Sequence, residues 1–352
     1  MNGMTSSKWL VAAGLILASA CSNQTGPVGG QDKFPAQRVQ DGLSVIDRVN
    51  AAPILESFRL LGGQIPGAAA SSGNAARAIA IVRDLAGLAS AGVGGPAAIP
   101  VIRPGILGKT MVYDAAAKKY LVAEGRAGAP KNGVRFVLYE IDAAGQPNPV
   151  KETGYSDLTD EKAASSTTAG LRLRVASGTT TYLDYRFELS GSISAATVNV
   201  EGYLSDGTER VNFNLSTTGQ LFGRGGTITI TGKIEVPSKS FAIDAKVVGK
   251  AGESKGNGEF DLAVTAGSDV VEISAKGNAN DVNATVKVNG KLFASIKGNP
   301  ANPVIKGEGG RDLTTEELAA LHSVYEFAEG AFKLIGDLLA PAAALLLIGL
   351  SL

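Results

Sequence analysis

Few residues in this chain have the type and spacing that chemistry requires. Its 352 residues include one histidine and one cysteine. His322 stands on a helix-periodic segment with Glu326 four residues on. A catalytic base needs a nucleophile and an orienting partner within reach. A lone helical histidine is more commonly a solvated or packed side chain. Gly105-Ile106-Leu107-Gly108-Lys109-Thr110 ends like a phosphate-binding loop. Two residues too few separate its glycines, and it leads into a strand rather than out of one, so it reads as a glycine turn before a hairpin. Asp157, Asp160 and Glu161 form one acidic group, and Glu316 with Glu317 another. They fall in a polar excursion and at a helix start, where charges are normally solvated. A single cysteine, Cys21, allows no intramolecular disulfide and, with one histidine, no Cys/His metal set. The chain therefore reads as a non-enzyme, with no catalytic residue, no metal and no cofactor expected.

The elements around these residues begin with residues 1–20, which have the anatomy of a signal peptide. Lys8 supplies the positive start, and Trp9 to Ala20 is an apolar run too short to span a bilayer. The run ends Leu17-Ala18-Ser19-Ala20-Cys21. With that ending it resembles a bacterial lipoprotein signal with its lipobox. The Leu usual three places before the Cys is Ala18 here, with Leu17 one place earlier. The resemblance implies that Cys21 becomes the acylated first residue of the mature protein, its lipid anchor. Ser22, where the family can carry Asp, implies the outer membrane. The expected location is thus the outer membrane, and the expected partner is the membrane itself, through the anchor. Residues 21–40 are rich in Asn, Gln, Thr, Gly and Pro and read as a flexible tether.

Lys+Arg and Asp+Glu balance at 33 each, so the formal net charge is zero. A nucleic-acid binder needs a basic surface that displaces counterions from phosphate, and no nucleic-acid partner is expected. Glycine is abundant at 45 residues while aromatics make up 6%. That composition suits a chain of many tight turns.

Residues 41–100 read as a helical segment. Leu43, Ile46 and Val49 are three apart. Pro53 suits a first helical turn, and Leu55, Phe58 and Leu61 repeat the spacing. Ser71 to Asn74 offers a cap for a further helix through Ile79, Val82, Leu85 and Ala89. Residues 101–310 read as an antiparallel meander of about fourteen strands, judged from the spacing of turn signals. Period-two alternation is clearest in Thr227–Thr231, Phe241–Val247, Glu259–Val264 and Val282–Val288. Asp206-Gly207, Gly267-Ser268 and Asn289-Gly290 are among its turn dipeptides. Residues 311–352 read as a C-terminal helical segment packing on the sheet. It opens with a capping box from Thr314 to Glu317. Leu338 to Leu352 would make a helix of about 22 Å, short of the roughly 30 Å bilayer core. It is expected to bury Phe332, Ile335, Leu338 and Leu346 against the sheet rather than to span a membrane.

The expected fold is mainly β with flanking helices: a large curled antiparallel meander, trough or barrel-like, packed with apolar helices from both ends of the chain. Gly202, Gly232, Gly249 and Gly277 fall in phase with the apolar face and read as corners where the sheet bends. Phe213, Ile228, Ile230, Phe241, Ile243, Phe260 and Leu262 lie on that face and are the candidate lining of an apolar cavity. At the level of architecture only, this resembles the half-barrel periplasmic lipid carriers and lipoprotein acceptors. The resemblance implies a lipid or other apolar ligand. Two alternatives stand beside it. One is a structural or interaction lipoprotein of the cell envelope whose helices fill the sheet. The other is an outer-membrane β-barrel with the apolar face toward lipid.

Overall fold

The computed structural model describes residues 35–61, 102, 104–161, 168–192, 195–219, 226–250, 258–278, 280–299 and 302–322. Cys21, most of the expected tether, the expected helix after Ser71, and Phe332, Ile335, Leu338 and Leu346 lie outside the described residues. Within them the chain is mostly β, as its alternation predicts. The strands are β1 (Thr110–Asp114), β2 (Lys119–Val122), β3 (Gly133–Ile141), β4 (Pro147–Asp160), β5 (Thr168–Ser177), β6 (Thr180–Ser192), β7 (Ala195–Ser205) and β8 (Arg210–Gly219). They continue as β9 (Thr227–Val236), β10 (Phe241–Lys250), β11 (Gly258–Ala266), β12 (Asp269–Gly277), β13 (Val282–Val288), β14 (Lys291–Gly298) and β15 (Val304–Gly307). From β15 down to β3 each strand neighbours its sequence neighbour, and the order ends β3-β1-β2. Among the described residues β15 and β2 are the end strands of this order.

One pairing departs from the expected meander. β1 and β2 form the anticipated hairpin, but β3 adds to the other side of β1 in parallel, through Thr110–Arg135 and Met111–Phe136. The reason is local. β2 runs back to the end where β1 began, so the connection over 123–132 only has to pass the start of β1. Gly108 N–H then bonds to the Gly133 carbonyl at 2.7 Å, and Arg135 N–H to the Lys109 carbonyl at 3.1 Å. The glycine segment that mimics a phosphate loop is thus the turn that feeds β1, with a short helical turn over Pro104–Ile106.

The chain divides into two compact units, and the division falls inside α1 (Ala36–Asn50) and inside β8. In the unit of residues 47–214, α2 (Pro53–Leu61) lies on β3 to β6. Pro53 opens it, and Leu55, Phe58 and Leu61 are buried, as their spacing predicts. Ile54 comes close to β4 because residue 154 is glycine; a Cβ there would overlap the Ala176 carbonyl oxygen and press on Ile54. The β3–β4 register shifts at Leu138/Tyr139. Ser57 Oγ accepts the Tyr139 N–H at 3.1 Å, so the helix supplies a bond at the irregularity.

The outer face of this unit is a ladder of paired charges. Arg135 donates twice to Asp157 at 2.7 Å, and Arg172 twice to Asp184 at 2.7 Å. Asp157 and Asp160 therefore belong to β4 and not to the polar excursion read from sequence. The alternation that marks β4 there was masked by polar residues on both faces, Ser156 among them. Glu161 meets Arg186 at 3.0 Å rather than standing free in water.

In the unit of residues 35–46 and 215–322, α1 starts at Ala36, inside the stretch expected as tether. Val39 is buried and in phase with Val45 and Ile46, which extends the apolar stripe one turn earlier than Leu43 suggests. Gly42 faces the Phe241 ring so closely that any Cβ would overlap it. The capping box forms as read: Thr314 N–H donates to Glu317 Oε2 at 2.9 Å and Glu317 N–H to Thr314 Oγ1 at 3.2 Å. Residues 315–322 are helical, with Leu321 buried and His322 half-buried.

Candidate functional site

The alternation of β9 to β12 sorts side chains into cross-strand rows. On the apolar face, Ile234, Ile243, Val264, Val271 and Val288 form one row. The next is Gly232, Ala245, Leu262, Ile273 and Val286. The third is Ile230, Val247, Phe260, Ala275 and Ala284, and the last is Ile228, Gly249, Gly258, Gly277 and Val282. No row contains a charged residue. Nearby charges stand on the opposite face and pair with each other, Lys233 with Glu235 at 2.7 Å and Lys276 with Glu259 at 3.0 Å. The Glu235 bond holds the Lys233 ammonium above its ordinary range.

Burial changes along these rows. Ile234, Ile243, Val264, Leu262 and Ile273 are all buried, as is Phe241 beneath Gly42. Ile228, Ile230, Val247 and Phe260 are only half-buried, although they share the same face. Beside them the aligned glycines of β10, β11 and β12 carry no side chain. Gly258 is itself buried, and at Gly277 the Cβ direction is filled by the Asp281 carbonyl. A Cβ on Gly249 would meet no atom within 4 Å.

The seven residues expected to line one cavity are therefore split. Ile243, Leu262 and Phe241 are interior. Ile228, Ile230 and Phe260 belong to the half-covered end. Phe213 is buried in the other unit, edge-to-face with Tyr185 at 6.0 Å between ring centroids. Val247 and Gly249 complete the half-covered end, and Gly258 and Gly277 continue the Gly249 row. Gly249 and Gly277 were read as corners; Gly258 is a further member. Its alignment depends on strand register, which no single strand encodes.

In the 47–214 unit the corresponding face is buried wherever its side chains are described, from Val175 and Leu183 at 0% exposure to Phe213 at 8%. The half-covered apolar surface is thus local to one end of β9–β11. Compared with known proteins, the chain matches no protein-family model, no curated protein and no solved structure.

Proposed function

We propose that this chain is a lipid-anchored protein of the cell envelope, held at the outer membrane through Cys21. Its role is to bind a lipid or other apolar molecule over the half-covered end of β9–β11. The observation that supports this reading is the change in burial along one apolar face, from Ile243 and Leu262 to Ile230, Val247 and Ile228. A contiguous uncharged patch of this kind is a common mark of a binding surface. Each methylene laid on it and removed from water contributes about 0.8 kcal/mol. A second reading, a structural lipoprotein without a ligand, draws support from the close docking of α1 and α2 through Gly42 and Gly154.

The test is lipid extraction from protein purified without detergent in a Cys21→Ala background, followed by mass spectrometry. Co-purified lipid is expected, with loading several-fold lower in Ile230→Lys protein that remains folded. Protein that carries no lipid and takes up no fluorescent fatty acid would favour the structural reading.

A further inference from the structure

The β13–β14 turn contains a chemically labile pair, Asn289-Gly290, held in an unusual way. Both residues have positive φ, 52° and 79°, which suits the two-residue turn between Val288 and Lys291. Asn289 behaves as an extra residue of the ladder with β12. Its N–H donates to the Val270 carbonyl at 2.8 Å, and its side-chain Oδ1 accepts the Val270 N–H at 2.8 Å. Its Nδ2 donates to Asp269 Oδ1 at 3.1 Å. The other oxygen of Asp269 accepts from Arg38 Nη1 of α1 at 2.6 Å. The Asn289 amide is thus one link in a chain that runs from the β13–β14 turn through Asp269 to α1.

We infer that Asn289 is a guarded deamidation site whose conversion loosens α1 from the β11–β12 turn. Glycine after asparagine leaves the following backbone nitrogen unshielded. Once that nitrogen loses its proton it attacks Asn289 Cγ. A C–N bond forms, the bond to Nδ2 breaks, and Nδ2 departs as ammonia. Water then opens the five-membered imide at either carbonyl, leaving an aspartate or an isoaspartate at position 289. No electron transfer is involved. In the native turn both ends of the amide are engaged, so Cγ must abandon two hydrogen bonds before it reaches the Gly290 nitrogen. Once converted, the donor to Asp269 is gone. A second carboxylate faces Asp269 and competes for Arg38, and the isoaspartate also lengthens the turn backbone.

The experiment incubates the full chain in mildly alkaline buffer and follows position 289 by peptide mass spectrometry. Hydrogen exchange of α1 is read on the same samples. Deamidation is expected several-fold faster in Asp269→Ala and in denatured protein than in the native wild type. Converted wild type and the Asn289→Asp variant are expected to show faster exchange over Ala36–Ile46. A rate unaffected by Asp269→Ala in a folded variant overturns the guard. Unchanged α1 exchange after full conversion overturns the release. Gly290→Ala, which slows imide formation, serves as the control in which both signals are delayed.

Discussion

At the residue scale, two serines buried among apolar groups make opposite predictions. Ser57 accepts the buried Tyr139 N–H. Ser57→Ala leaves that donor unpaired, which costs about 1–3 kcal/mol. Ser156 is fully buried beside Phe136 and Val175, and its hydroxyl has no hydrogen-bond partner among the described residues. Ser156→Ala removes an unsatisfied group and is expected to leave stability unchanged or raised. Chemical denaturation of both variants checks the pair, and a large loss in Ser156→Ala would mean that its hydroxyl is bonded. Asp206 gives a pH prediction. Bonds from the Glu209 and Thr208 N–H groups, with Arg48 beside it, hold its carboxyl below the usual range; the Glu209 bond is the largest cause. A depressed native pKa contributes stability that is complete above the unfolded-state value of about 3.9 and is lost as pH falls through the native value. Asp206→Asn should therefore flatten the acid limb of melting temperature against pH. An equally steep limb in the variant would assign the acid sensitivity to other carboxylates.

At the element scale, the strip of changing burial on β9–β11 predicts a gradient of mutational cost. Ile243→Ala empties a position packed on both sides by Ile234 and Val264 and should cost about 2–5 kcal/mol. Ile230→Ala lies on the same face but is half-buried, and its cost should be clearly smaller. Equal losses in calorimetry would mean that position 230 is covered as completely as position 243. A charge at Ile230 should cost less than one at Ile243, because at a half-buried position a long lysine can turn its ammonium to water. Strand phase was legible because alternation reports which face a side chain occupies. Turns such as Asp206-Gly207 and Asn289-Gly290 were legible because few residues accept their backbone angles. Partner choice was not legible: the β1–β3 pairing depends on where β2 ends in space. Coverage was not legible either. Ile230 and Ile243 are the same residue type in the same phase, and only the packing of other elements separates them.

At the scale of the whole molecule, the proposed membrane location needs a means of attachment. The formal net charge is zero, so no broad electrostatic attraction to anionic lipid is available. Among the described residues no helix is long and apolar enough to cross a bilayer. On the proposed reading the lipid on Cys21 is the anchor, and the apolar residues from Leu338 to Leu352 are expected to serve the fold rather than the membrane. Cys21→Ala should move the protein from the membrane fraction to the supernatant after cell fractionation. Truncation after Gly336 should leave the acylated protein on the membrane and lower its melting temperature. A Cys21→Ala protein that stays with membranes, and leaves them once truncated, would make the C-terminal segment a second anchor and remove it from the core.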